Sequence, residues 1–387
     1  MKRVIIGKDI YTPSKITGEI NILLDADTIE NIGTENTNGY EKIDLREYTI
    51  IPGLVDIHIH GVNGFDTMDA TPLAIEEMSK HIALSGVTSF LAATVTASLD
   101  KIDAALKNIK DCLKCEMSGA RLLGAYLEGP YINDDYKGAH PSQFIREIDI
   151  DELKKIVDYT GDALVVVTIA PEKADAIKTI EYLTSNNIRV SLGHTNATYA
   201  QAKSAFDAGA SIVTHLFNGM RGLNHREPGI IGAALTDKRA NVELICDLIH
   251  LAPPIMQITH KCKGSERVIL ITDCIMAGGL KDGQYRLGEL DIFVENGISR
   301  LIDGTLAGST LKLSDAVKNM SLHAQIPFEE ALAAATINPA RAIGKDNIVG
   351  SIEKGKKADI VALNDSFEPV FVMVGGKIIV DRTKAYN

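Results

Sequence analysis

Cysteine is scarce and unpatterned in this sequence: five residues, an odd number, are scattered over 387 positions. That argues against a disulfide framework and fits a reducing compartment. Long apolar runs are missing as well. No stretch approaches the roughly 20 residues that a spanning helix needs, and the run that begins at Val4 reaches Lys8 and Asp9 too soon for a signal peptide. A cytoplasmic protein without a membrane partner is expected. Basic residues are outnumbered, 40 Lys and Arg against 51 Asp and Glu, for a formal net charge of -11. With no Lys/Arg stripe as a local exception, such a surface repels a phosphate backbone, and no nucleic-acid partner is expected. Gly7, Gly18, Gly33 and Gly39 lack phosphate-loop spacing, which leaves a nucleotide cofactor unsupported.

Apolar material, by contrast, is plentiful. Hydrophobic residues make up 45% of the chain and charged residues 24%, enough for a sizeable core and too much apolar content for a disordered chain. The length suits one large barrel or two to three ordinary domains. Short apolar runs broken by turn residues open the chain at 3–6, 18–24 and 28–32. The same texture returns at 359–363 and 370–374, ahead of a Gly375-Gly376 turn into 377–380. We expect the two ends, residues 1–51 and 347–387, to form one small β-sandwich domain.

Between them, over 52–346, eight apolar runs of strand length alternate with helical-period stretches. They end near His60, Thr94, Glu128, Ala170, His194, His215, Asp247 and Asp273. Eight β/α repeats in about 290 residues compare with the roughly 250 of a (β/α)8 TIM barrel, and a doubly wound open sheet is the competing α/β fold. The position of the reactive residues favours the barrel. A barrel places catalytic groups at the carboxyl ends of several strands, whereas an open sheet gathers them at one switch point.

The first run ends Asp56-Ile57-His58-Ile59-His60. Side chains alternate along a strand, so His58 and His60 share a face and can share a cation. A lone His-x-His pair is more often incidental than a ligand pair. Glu128 closes the third run after a mostly apolar stretch, and a buried carboxylate needs a partner. Taken singly it reads as a cap or a loop residue. His194 and His215 end the fifth and sixth runs, and a single strand-end histidine is usually structural. Four histidines and a glutamate at one barrel mouth are a different matter, because imidazole and carboxylate together suit zinc, iron or manganese. Asp273, at the end of the eighth run, is placed to accept a proton from water activated by the metal. A metal lowers the pKa of water from about 15.7 to about 7, roughly 12 kcal/mol that an aspartate alone does not supply.

These segments also carry a resemblance. The stretch at 52–61, the strand-end histidines and Asp273 resemble the amidohydrolase superfamily. Within it, Leu127-Glu128-Gly129-Pro130, Lys137-Gly138-Ala139-His140, Leu192-Gly193-His194-Thr195, Thr214-His215-Leu216-Phe217-Asn218, Arg226-Glu227-Pro228-Gly229 and Leu306-Ala307-Gly308-Ser309 are similar to the N-acetylglucosamine-6-phosphate deacetylase family along essentially the whole chain. Many superfamily members take a carboxylated lysine from the fourth strand. The run at 164–170 has no lysine, and the resemblance makes Glu128 its substitute.

The resemblance implies metal-dependent hydrolysis of the N-acetyl group of N-acetylglucosamine 6-phosphate, giving glucosamine 6-phosphate and acetate in amino-sugar catabolism. The alternatives are the galacto epimer, another amide within the superfamily and, more distantly, a non-catalytic scaffold barrel. One or two divalent ions are implied, and the presence of both His58 and His60 favours two. Asp273 takes the water proton and passes it to the departing amine. His140 or His250 supports the oxyanion. Ala139 and His140 face the sugar or its acetyl group, while Leu306, Ala307 and Gly308 form a wall. Asn218, the Gly219 main chain and His250 complete the phosphate and sugar contacts. Many relatives have alanine at Gly219, a change expected to leave a main-chain contact intact. A phosphate needs a concentrated donor set, and Arg226 offers a fork of N–H groups. In this family the matching arginine reaches a neighbouring subunit's ligand, which makes a homodimer the expected state.

Other candidates read as bystanders. His225 adjoins Arg226 on a loop, while His81, His260 and His323 fall in helix-like stretches. Cys112 and Cys115 have redox or zinc spacing but no second pair, and they sit in a charged helical segment.

Overall fold

The computed structural model describes residues 2–12, 14–34 and 36–383; the outermost positions of the expected terminal domain, 1 and 384–387, lie outside them. Eight parallel strands form the central sheet: β1 (Leu54–Ile59), β2 (Val87–Ala93), β3 (Arg121–Leu127), β4 (Leu164–Ile169), β5 (Arg189–Leu192), β6 (Ile212–Val213), β7 (Asn241–Leu244) and β8 (Val268–Leu270). They pair in chain order from β1 to β8. The ring closes just beyond β8, where Asp273 N–H donates to the His58 carbonyl at 2.9 Å and His60 N–H to the Cys274 carbonyl at 2.9 Å. Such an order has no switch point, which rules out the doubly wound sheet.

β1, β2 and β4 are buried along their whole length, as strands covered by helices outside and by the packed barrel interior inside must be. A helix follows each of the first seven strands, at Pro72–Ala83, Leu99–Cys112, Ile150–Thr160, Ala176–Ser185, Tyr199–Asp207, Gly229–Thr236 and Pro253–Lys263. Their sequences show why they form. In Leu99–Cys112 the buried residues Ile102, Ala105, Leu106, Ile109 and Cys112 recur at helical spacing on one face. Thr198 starts Tyr199–Asp207 with a capping box, its side chain accepting from Gln201 N–H while Gln201 reaches back. One apolar cluster draws Val55, Ile57, Leu91, Tyr126, Val166, Ile212 and Ile269 from six of the strands. After β8 a small antiparallel sheet (Gly283–Leu287, Leu290–Glu295, Ile298–Arg300) precedes the helix Leu313–Leu322.

Strands from both chain ends make a second eight-stranded sheet. Thr49–Pro52 pairs in parallel with Lys2–Tyr11 and antiparallel with Ile360–Leu363, which joins the two ends. Gly375 and Gly376, at φ 51° and 75°, make the two-residue turn between Pro369–Val374 and Lys377–Asp381, the left-handed backbone that such hairpins require. This sheet is fastened to the barrel by Arg121, which grips Asp359 with Nη1 at 2.6 Å and Nη2 at 3.1 Å.

Candidate active site

The reactive side chains gather at the carboxyl end of the barrel strands. They form two groups with ligand atoms close enough to share a cation: His58, His60 and Asp273, and Glu128, His194 and His215. Glu128 joins them. Its Oε1 lies 3.1 Å from both His194 Nε2 and His215 Nε2, while its Oε2 lies 3.4 Å from His58 Nε2 and 3.2 Å from His60 Nε2. Asp273 Oδ1 completes the first group at 3.1 Å from His60 Nε2 and 3.7 Å from His58 Nε2. All six residues are buried.

The outer nitrogens of these rings define their tautomers. His194 Nδ1–H donates to the Tyr136 carbonyl at 2.9 Å and His215 Nδ1–H to the Asn218 carbonyl at 3.2 Å. Each Nε2 is thereby left as a lone pair, and the two lie 3.1 Å apart against one carboxylate oxygen. Lone pairs crowded in this way call for a cation, and this is the tautomer a divalent metal takes. His58 Nε2 is buried without a hydrogen-bond partner and faces the same space. The donor set therefore fits one divalent ion in each group.

Electrostatics agree with the geometry. Burial alone disfavours an imidazolium, yet Asp273 and Glu128 together hold His60 up to about 9. His58 is raised well above the usual range against the same burial, by Glu128 and Glu243. Burial also works to raise the carboxylates, but His58, His140, His194 and His215 pull Glu128 well below its ordinary value. Asp273, in spite of its burial, is brought to about 2, chiefly by His60. His140 goes the other way: burial and the nearby His194 lower it to about 4. Its Nδ1 accepts from Thr96 N–H at 3.2 Å, so the neutral ring carries its proton on Nε2, 3.6 Å from Glu128 Oε2.

The backbone is bent to present these groups. His194, His215 and Asp273 all have positive φ, at 48°, 27° and 49°, a conformation that costs non-glycine residues energy and clusters at functional sites. Gly219, at φ 58°, is also needed where it is. A Cβ there would come within 2.8 Å of His194 Nδ1, so an alanine is not a neutral exchange in this backbone.

A cavity of about 220 Å³ opens over the ligand groups. Ala139, His140, Asn218, Gly219, His250, Leu306 and Gly308 line it together with His60, Glu128, His194, His215 and Asp273. Ala307, expected on the same wall, instead turns its side chain into an apolar cluster with Val95, Ile275 and Leu287. Arg226 is exposed outside the cavity, its Nη1 3.1 Å from His225 Nε2. Several residues absent from the sequence reading belong to this region, three polar ones among them. Thr305 lines the cavity. Glu172, beyond β4, accepts from Asn133 Nδ2 at 2.8 Å, Asn196 N–H at 2.6 Å and the Thr195 hydroxyl, tying the loops after β3 and β5 together. Glu243, on β7, accepts from His58 Nδ1–H at 3.1 Å. Its signal was legible: a carboxylate in the middle of the apolar run at 242–246.

Residues 49–379 match the model of the amidohydrolase family. The chain belongs to the amidohydrolase family. Among similar proteins, this amidohydrolase is 41% identical over 380 residues to the N-acetylglucosamine-6-phosphate deacetylase of Vibrio furnissii, covering 98% of this chain and 94% of the relative. It is 43% identical over 329 residues to the N-acetylgalactosamine-6-phosphate deacetylase of Escherichia coli O157:H7, covering 85% and 87%. Its fold superimposes on an aspartate-to-alanine mutant of the N-acetyl-D-glucosamine-6-phosphate deacetylase of Mycobacterium smegmatis in complex with N-acetyl-D-glucosamine 6-phosphate. There the TM-score is 0.93 at 31% identity, with 98% and 99% of the two chains covered. Among the described residues no helix is long and apolar enough to cross a membrane.

Proposed function

We propose that this amidohydrolase hydrolyses the acetamido group of N-acetylglucosamine 6-phosphate, releasing acetate and glucosamine 6-phosphate. The observation that carries this reading is one cavity holding two ligand groups joined through Glu128, with Asp273 and the His140 ring on its wall. The similarity to deacetylases of phosphorylated amino sugars supports the substrate class.

In this reading His58, His60 and Asp273 hold one divalent ion and Glu128, His194 and His215 a second, with zinc, iron and manganese all compatible with the donors. When bound, such ions polarise an amide carbonyl and acidify water. The residues of the chain do the rest. Asp273, ionised at neutral pH, takes the proton of the attacking water and hands it to the amine, which leaves poorly unless protonated. His140, neutral and bearing its proton on Nε2, donates to the carbonyl oxygen as negative charge builds there. Asn218, the Gly219 main chain and His250 are assigned to the phosphate and sugar, with Leu306 and Gly308 as a wall beside Ala139. Arg226, outside its own chain's cavity, is assigned to the phosphate of a neighbouring subunit in a homodimer. Residues 52–346 are the catalytic unit, and 1–51 with 347–387 a supporting domain. The five unpaired cysteines suit the cytoplasm.

The test is acetate release from N-acetylglucosamine 6-phosphate, its galacto epimer and unphosphorylated N-acetylglucosamine, by metal-analysed protein before and after chelation. The reading expects the highest kcat/KM on the phosphorylated gluco sugar and loss of turnover on chelation. A higher kcat/KM on the galacto epimer moves the assignment to that sugar, which the second relative's activity makes the leading alternative. No release from any of the three overturns it.

A further inference from the structure

We infer that Glu243 is a positioning residue that makes His58 a metal ligand, an assignment that rests on the two-ion reading above. Glu243 lies on β7 and is 0% exposed. Its Oε2 accepts from His58 Nδ1–H at 3.1 Å and from the main-chain N–H of His215 at 3.3 Å, and its own carbonyl accepts from Leu216 N–H at 2.8 Å. One carboxylate thus touches a residue of each ligand group. Its other oxygen, Oε1, is buried without a hydrogen-bond partner. A carboxylate held this way is costly unless positive charge compensates it nearby. A cation on the far side of the His58 ring provides that charge.

The four ligand histidines are not backed alike. His194 and His215 rest on the Tyr136 and Asn218 carbonyls, and His60 Nδ1 has no hydrogen-bond partner. His58 alone is backed by a carboxylate. That bond holds a proton on Nδ1, so with an ion bound it is Nε2, turned toward Glu128 and Asp273, that offers the lone pair, while the Tyr126 ring stacks on the imidazole at 4.4 Å. Carboxylate backing raises imidazole basicity and orients the ring, and loss of such a partner weakens metal binding about 10- to 100-fold.

Two variants separate charge from hydrogen bonding. Glu243→Gln keeps a nearly isosteric acceptor and loses the charge; Glu243→Ala loses both. The fully metallated wild type and both variants are titrated with chelator, and ions per chain are counted by elemental analysis at each step. Folding is followed in parallel by circular dichroism. We expect the wild type to hold two ions. The glutamine variant releases its first ion at about tenfold lower chelator and the alanine variant at about 100-fold lower, with the second ion's release moved far less. Should Glu243→Ala fail to fold, Glu243→Gln decides alone. Release of both ions at wild-type chelator concentrations, or equal weakening of both, overturns the role of Glu243. A wild type that holds a single ion overturns the two-ion reading, and this assignment with it.

Discussion

At the seam between barrel and terminal sheet, Asp359 is 4% exposed, and both its oxygens are taken by Arg121 and by Gly375 N–H at 2.7 Å. At the barrel mouth, carboxylates are as deeply buried, but the polar atoms around them are not all satisfied: His58 Nε2, His60 Nδ1 and Glu243 Oε1 have no hydrogen-bond partners. The seam lies where parts of the fold dock, and its charges cancel within the chain. The mouth gathers four imidazoles on one carboxylate and bends three residues into positive φ to do so. Burial of charge therefore does not by itself mark a functional site. What separates the two regions is whether the chain completes its own valences or leaves them for something else to complete.

Three measurements test that contrast. The largest effect belongs to Asp273→Asn, which keeps the shape of the mouth and removes the proton carrier. Turnover of N-acetylglucosamine 6-phosphate should fall about 10³-fold with circular dichroism unchanged. A kcat near that of the wild type would reduce Asp273 to a structural acid like Asp359.

The next effect is on metal affinity. Against the pull of burial, Asp273 and Glu128 hold His60 up to about 9, and His58 is also raised. Below pH 9 the His60 ring is protonated in the metal-free site, and that proton must leave when a cation binds. Affinity should therefore rise with pH, and the share due to the His60 proton, about tenfold per unit, should level off near pH 9. Calorimetric titration of metal into chelated protein between about pH 6 and 9 reads this slope. A flat profile would mean that the mouth, like the seam, has no protons to exchange.

The smallest effect on catalysis is expected at the seam. Arg121→Met leaves Asp359 buried with only one donor, which should lower stability by about 2–3 kcal/mol, less than for a fully buried pair because Arg121 is 24% exposed. Urea unfolding should show that loss, while kcat per folded molecule stays the same. A fall in kcat would show that the docked sheet shapes the mouth.

Much of this architecture was legible in the residues. Period-two alternation put His58 and His60 on one face, and strand-end positions of Glu128, His194, His215 and Asp273 pointed to one mouth. The Gly375-Gly376 pair announced its hairpin. Contacts between distant segments were less readable. The sheet ladder of β6 covers only two residues and that of β8 three, because the chain turns early to aim His215 and Asp273 inward. Ala307 is fully buried and off the cavity wall, between the cavity-lining Leu306 and Gly308. Glu243 escaped notice because it acts through His58, 185 positions away, although a charge inside an apolar strand was the clue. Arg226 lies exposed outside the cavity.

The barrel's closure also bears on how the protein holds together. Its first and last strands meet through the residues that offer ligands, Asp273 against His58 and His60 against Cys274, and the neighbouring Asp56–Thr272 contact spans 216 positions. A cation gripped by His58, His60 and Asp273 would act as a removable crosslink across nearly the whole barrel. In the unfolded chain a loop of that length costs about 5 kcal/mol of entropy to close. Binding there ties the integrity of the ring to the same residues that serve the chemistry, so that losing the ion loosens the circle at its one join.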